Sequence, residues 1–157
     1  MFANPFPARL DNAYRGRLPA LWLLGLLAAM KLAMGVNCMI QPAFVAATVD
    51  HIPLDSYDPA AAQTVIVFFA VWGLGQALLA LLAILALVRY RTMVPIVFLL
   101  LLLEQVGRKL LFLLHPVATS GEGGISVALL INLGFLLALI LGLVLSLWVR
   151  PTRASAG

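Results

Sequence analysis

Four long runs of apolar residues, separated by short polar segments, dominate the chain. They cover residues 18–40, 60–88, 93–114 and 125–149. A helix needs about 20 apolar residues to cross a hydrocarbon layer about 30 Å thick, and each run reaches that length. The second run is longer than needed, so its helix is expected to tilt or to project beyond the membrane. The pattern therefore predicts an all-α integral membrane protein, a four-helix bundle that forms one domain over residues 1–157.

Local signals mark the ends of the second and third helices. Asp58 precedes Pro59, which is the pattern of an N-cap followed by proline in the first turn. Thr92 is placed to cap the third helix. Pro116 predicts that this helix ends at His115, because the residue before a proline is pushed out of the α conformation.

Basic residues are distributed unevenly between the runs. The loops 41–59 and 115–124 contain no lysine or arginine, whereas the N-terminal segment, the 89–92 loop and the C-terminal tail contain several. Since basic loops remain in the cytoplasm, both termini are expected inside (N-in, C-in) and the loops 41–59 and 115–124 outside. A cleaved signal peptide is the alternative for the first run, but the run is long for such a segment and no small-residue cleavage site follows it.

Composition excludes several classes of protein. The chain is 64% hydrophobic and 10% charged, whereas a soluble domain averages about 45–50% and about 25%. A soluble chain of this length could not bury so much apolar surface. The net charge is +4, but the basic residues flank the apolar runs, so no nucleic-acid partner is expected. The single cysteine, Cys38, excludes CxxC pairs and cysteine zinc sites. No nucleotide-binding or hydrolase motif is present, so no cofactor and no catalytic residue are predicted.

Charged residues inside the apolar runs are the candidate functional residues, because each costs about 2.5–3.5 kcal/mol at the membrane centre. In the third helix, Glu104 and Arg108 are four residues apart and can pair on one face. His115 points in nearly the same direction around the helix axis as Glu104. The three residues therefore form one polar stripe, which extends to the outer surface. Lys31 in the first helix lies about 20 Å from the cytoplasmic end, at the level of Arg108 and Lys109. The candidate ligand-binding residues are therefore Lys31, Glu104, Arg108, Lys109 and His115.

Two interpretations of this cluster stay open. In the first, Glu104 pairs with Arg108 or Lys31, and the loop aspartates fold down to neutralise the remaining cations; these are Asp50, Asp55 and Asp58. Such a network only fixes the register of the helices. In the second, the cations form an outward-facing site for an anion such as a lipid headgroup. A proton relay through Glu104, Arg108 and His115 is a further alternative, although the cytoplasmic half offers no acidic group to continue the path.

Uncharged polar residues in the runs predict contacts between helices. Gln76 in the second helix and Asn132 in the fourth are expected to form interhelical hydrogen bonds. Gly73, Ala77 and Ala80 recur beside Gln76 at helical spacing, which favours a close helix approach. The two histidines and the loop aspartates match no metal-binding motif, so no metal site is predicted.

The sequence LVRYRTMVPI at residues 87–96, followed by LEQVGRKLL at residues 103–111, resembles a stretch of small bacterial four-span membrane proteins with a DoxX-like layout. The resemblance covers the end of the second helix and the third helix, and the rest of the chain by layout alone. It implies a multi-pass protein of the bacterial inner membrane, and it implies no activity.

The function expected from the sequence is a non-enzymatic accessory or structural membrane protein with a charged cluster in the third helix. One alternative is an anion- or lipid-binding protein or transporter component that uses Lys31, Glu104, Arg108 and Lys109. Another is a membrane enzyme or redox-linked protein that uses His115. Membrane lipids are the expected partners, and a transport function would require a homodimer or a larger complex, because one such bundle has little room for a pathway.

Overall fold

The fold is all-helical in the computed structural model, which describes residues 9–116 and 127–148. Four long helices are present in this part of the chain: α1 (Leu18–Ile40), α2 (Pro59–Val88), α3 (Val94–Leu114) and α4 (Val127–Leu147). The first three begin and end within one residue of the first three apolar runs. The start of the fourth run at residue 125, its end at residue 149 and most of the 115–124 loop lie outside the described residues.

Three of these helices are long and apolar enough to cross a membrane. They are Leu18–Ile40, Pro59–Val88 and, within α4, Leu130–Leu147. The third helix, α3, carries three charged residues. Large apolar side chains are widely exposed, for example Phe68 at 68% and Leu113 at 77% of their surface. A soluble monomer rarely exposes apolar surface on this scale, and a membrane protein turns such surface toward lipid.

The predicted cap of α2 is confirmed, and the predicted cap of α3 is wrong. The Asp58 carboxylate accepts a hydrogen bond from the backbone N–H of Ala60 at 2.9 Å. No side chain caps α3, whose N-cap residue is Met93. The Thr92 hydroxyl instead accepts a hydrogen bond from the Asp11 N–H at 3.1 Å and donates one to the Asp11 carbonyl at 2.9 Å. The segment before α1 therefore binds the Thr92 side chain, which the sequence pattern predicted as the cap of α3.

The four helices pack unevenly. The most extensive contacts join α1 to α2, followed by those that join α3 to α4, whereas α2 and α3 touch only sparsely. Helices α1 and α2 approach closely at Gly35 and Gly73: a Cβ atom on Gly35 would lie 2.7 Å from the Ala77 backbone nitrogen. Gly73, Ala77 and Ala80 are all buried in this contact face. The result is a tight α1–α2 pair and a gap between α2 and α3.

The two ends of the bundle differ, and we name them by their charges. The arginine end comprises residues 9–17, the α2–α3 turn at residues 89–93 and the end of α4; the acidic end comprises residues 41–58 and the end of α3. The backbone N–H of Arg17 donates to the Leu145 carbonyl at 3.1 Å, which fastens the first segment to α4. The apolar core lies in the half nearer the arginine end and consists of Ala20, Leu24, Leu27, Ala28, Ala83, Ala86, Val94, Val97, Phe98, Leu101 and Leu139.

Candidate functional site

Glu104 lies at the centre of a charged network that joins three helices. Its Oε2 atom accepts a hydrogen bond from Lys31 Nζ of α1 at 2.7 Å, and its Oε1 atom accepts one from Gln76 Nε2 of α2 at 3.0 Å. Arg108 Nε, one turn along α3, is 3.6 Å from Oε1. Both carboxylate oxygens therefore have donors, and the carboxylate is held by α1, α2 and its own helix.

The buried face of α1 explains the position of Lys31. That face consists of residues at helical spacing, including Leu24, Leu27, Lys31 and Gly35. Only 4% of Lys31 is exposed. Its ammonium group also lies 5.7 Å from the centre of the Phe135 ring of α4, within the range of a cation–π interaction. Lys31 is thus fully committed to contacts inside the bundle.

A second polar network joins α3 to α4. Arg108 Nη2 donates to Gln105 Oε1 at 2.5 Å, and it lies 3.5 Å from Asn132 Oδ1. Gln105 Nε2 in turn donates to Asn132 Oδ1 at 3.1 Å. Because Gln105 is 2% exposed, this network orients Arg108 from the interior of the bundle.

The gap between α2 and α3 forms an open groove of about 820 Å³. Its walls are mostly apolar and include three leucines and four aromatic residues: Phe68, Phe69, Trp72 and Phe112. Its polar lining is Gln76, Glu104, Arg108 and Asp50. The volume lies in the range of small-molecule binding sites, which are also apolar cavities with a few convergent polar groups.

Two glycines leave the groove wide. Gly75 of α2 and Gly107 of α3 both line it. A Cβ atom on either would meet no heavy atom within 4 Å. A side chain added at either position would therefore meet open space where it leaves the backbone at the lining of the groove.

Arg108 is the cation in the lining of the groove. Its guanidinium carbon is 5.4 Å from the centre of the Trp72 ring, and Trp72 makes an edge-to-face contact with Phe69 at 6.0 Å. Arg108 Nε is buried without a hydrogen-bond partner. A guanidinium carries five N–H donors, and the hydrogen bonds of Arg108 within the described part of the chain use only Nη2. Nη1 therefore keeps its donors for a ligand, whereas the buried Nε lies 3.6 Å from Glu104 Oε1.

Asp50 reaches the groove from the loop between α1 and α2. A short helical segment, Pro42–Phe44, continues into one turn of π-helix, Val45–Val49, and Asp50 follows at its C-terminus. Val45 and Ala46 are buried, which anchors the segment on the bundle. Desolvation by the surrounding protein raises the pKa of Asp50; Arg108, Lys109 and His51 act in the opposite direction without cancelling it.

The structure brings some of the predicted site residues together and leaves others apart. Lys31, Glu104 and Arg108 are in contact, and Gln76 joins them. Lys109 is exposed on α3, and His115 is exposed at the C-terminus of that helix. Neither lines the groove. Asn132 contacts Gln105 and Arg108.

Sequence reasoning assigned no role to Trp72, Gln105 or the two glycines of the groove. The glycines carried a usable signal, because an isolated glycine within a helix often marks a site with a packing or functional role. Asp50 was expected only as one of three loop aspartates that fold down over the cations, and its place on the groove depends on how the loop folds back over the bundle.

Among residues 9–116 and 127–148, no group of three histidine, cysteine, aspartate or glutamate side chains is arranged to hold a metal ion.

No protein-family model matches the chain, and no curated protein or solved structure matches it.

Proposed function

We propose that this chain is a non-enzymatic integral membrane protein that binds one amphiphilic molecule in the groove between α2 and α3, with the anionic headgroup of that molecule at Arg108. One observation carries the proposal: a wide apolar groove whose lining includes a partly exposed arginine with donors that no described residue uses. Apolar walls suit an acyl or isoprenoid chain, and a guanidinium suits a phosphate or carboxylate.

The proposal places all four helices across a membrane. Helix α3 has 21 residues, which corresponds to about 31 Å, enough to span the hydrocarbon layer. Its charge at Glu104 is compensated by Lys31. The arginine end would face the cytoplasm because basic segments remain there. The bacterial inner membrane is the location that the DoxX-like resemblance implies.

The charges on the groove make Arg108 the residue that would bind an anion. The lining carries one cation, Arg108, and two anions, Glu104 and Asp50. Lys31 is occupied by Glu104 at 2.7 Å. Arg108 is the cation that both lines the groove and keeps free donors, so it is the residue that a headgroup would contact.

The closed half of the bundle supports binding rather than transport through a single chain. Between the groove and the arginine end, the described core consists of apolar side chains. The segment before α1 then covers that end through Asp11 and Thr92. A solute would find no polar path there, so transport would require a second copy or a larger complex.

A structural or accessory role is the second candidate, and the Glu104 network favours it. The carboxylate links α1, α2 and α3 through Lys31 and Gln76. This arrangement would hold the register of a bundle whether or not a ligand binds. The two roles are compatible, because Lys31 and Glu104 would hold the helices around the site and Arg108 would bind the ligand. His115 lies outside the groove, so the proposal assigns it no role.

Native mass spectrometry of the protein extracted in mild detergent tests the proposal. We expect the wild type to retain one amphiphile per chain. Gly107→Leu should abolish retention, because the new side chain fills the groove. Arg108→Gln should weaken it. The matched control is Gly134→Leu, since a Cβ atom on Gly134 of α4 also meets nothing within 4 Å but lies outside the groove. Equal retention by the wild type and Gly107→Leu would contradict the proposal, and a defined additional protein mass without bound amphiphile would favour the accessory role.

A further inference from the structure

We propose that the groove is built for an amphiphile whose headgroup carries both a phosphate and a primary ammonium group, with the phosphate at Arg108 and the ammonium at Asp50. This inference rests on the proposed function and specifies its ligand. The feature that carries it is a pair of opposite charges on the lining of one groove.

These two charges are not paired with each other. Within the described part of the chain, the ion pairs closer than 4.0 Å are Lys31–Glu104 and Arg108–Glu104. Arg108 instead binds Gln105 and stacks on Trp72. A cation and an anion that form no ion pair with each other therefore border the same cavity.

A dipolar headgroup complements this arrangement better than a simple anion does. A phosphate at Arg108 would receive charge-assisted N–H···O bonds. A purely anionic headgroup would bring its charge near the Asp50 carboxylate and be repelled by it. An ammonium group on the same headgroup would remove that repulsion and donate hydrogen bonds to the carboxylate.

The surroundings of Asp50 support a cationic partner. Asp50 is exposed, and within the described residues no lysine or arginine forms an ion pair with it. Arg108 and Lys109 act on it only through longer-range electrostatics. The anchored segment at Val45 and Ala46 holds the carboxyl at the groove, so a ligand would not have to order the loop.

The test is a thermal-shift titration of delipidated protein in detergent. The two lipids are phosphatidylethanolamine and phosphatidylglycerol with identical acyl chains, so only the headgroup differs. We expect phosphatidylethanolamine to bind about tenfold more tightly, as one hydrogen bond between charged groups would allow. Asp50→Asn should remove this preference, because it weakens binding of phosphatidylethanolamine and relieves the repulsion of phosphatidylglycerol, whereas Arg108→Gln should weaken both lipids.

The outcomes separate this inference from the function on which it rests. Equal or tighter binding of phosphatidylglycerol to the wild type would overturn the inference and leave the proposed function in place. An unchanged preference in Asp50→Asn would also overturn it. If neither lipid shifts the melting temperature, both are overturned. Soluble phosphoethanolamine is the control for the acyl chains; a shift as large as that of the lipid would reassign the site to a water-soluble compound and overturn the lipid as the ligand.

Discussion

The two halves of the bundle are built from the same four helices but hold different contents. In the half near the arginine end, alanine, valine and leucine side chains and Phe98 fill the interior, and the segment at residues 9–17 covers it. In the half near the acidic end, α2 and α3 separate around Arg108, and the interior holds a polar network and an open groove. The half near the arginine end therefore packs the helices together, and the half near the acidic end has the features of a binding site.

The difference follows from what holds helices together in a membrane. Lipid is as apolar as leucine, so helices associate through close packing and interhelical hydrogen bonds rather than through the hydrophobic effect. In the closed half, Gly142 leaves room for the Phe98 ring. In the open half, Glu104 and Gln105 supply hydrogen bonds that hold α3 while one side of that helix stays uncovered. These hydrogen bonds would keep α3 in place and leave the groove open, although α2 does not pack against that side of α3.

The largest effect is expected from breaking the polar anchor. Glu104→Gln leaves the Lys31 ammonium buried without a counter-charge, which should cost about 3 kcal/mol of unfolding free energy. Thermal unfolding in detergent measures the loss. The control is the double variant Lys31→Met/Glu104→Gln, which removes both charges and should recover most of the stability. If Glu104→Gln melts like the wild type, the open half does not depend on this ion pair.

The same glycine-to-alanine change should have opposite effects in the two halves. Gly142→Ala places a methyl group inside the space of the Phe98 ring and should destabilise the protein by about 1–3 kcal/mol. Gly107→Ala meets open space and should be neutral or stabilise by up to about 1 kcal/mol, because alanine favours helix. Chemical or thermal unfolding of both variants gives the comparison. Similar destabilisation by both would mean that the groove is closed.

The smallest effect is expected at the rim of the groove. Because the pKa of Asp50 is raised in the folded state, the folded protein holds this proton more tightly than the unfolded chain does. The contribution of Asp50 to stability therefore falls as pH rises from the ordinary range of aspartate through the raised pKa. In lipid-free detergent at neutral pH, Asp50→Asn should stabilise the protein by less than about 1 kcal/mol, since exposed charges are screened.

Melting temperatures across a pH series check this prediction. The wild type should lose stability relative to Asp50→Asn as pH rises above about 4. A difference of the opposite sign, with the wild type gaining stability over that range, would show that Asp50 already has a full partner inside the protein.

The sequence predicted the helices well because long apolar runs alternate with charged or proline-containing turns. It also predicted that Glu104 pairs with Arg108 or Lys31, since helical rise and the four-residue spacing determine depth and direction. It did not predict the groove. Exposed and core-facing side chains are equally apolar here, so the pattern does not show which helices separate. The sequence did not single out Asp50 among the three loop aspartates expected over the cations, because its position depends on the fold of a loop.

Photo-crosslinking with a lipid tests most directly whether the groove holds an amphiphile. The protein would be placed in nanodiscs that contain phosphatidylethanolamine with a diazirine in its acyl chain, and adducts would be mapped by peptide mass spectrometry. We expect adducts to concentrate on residues 68–79 and 103–112, which contain the helical lining of the groove. The adducts there should fall sharply in Gly107→Leu but not in Gly134→Leu. Adducts spread evenly over the exposed faces of all four helices, with no change in Gly107→Leu, would contradict a bound lipid between α2 and α3.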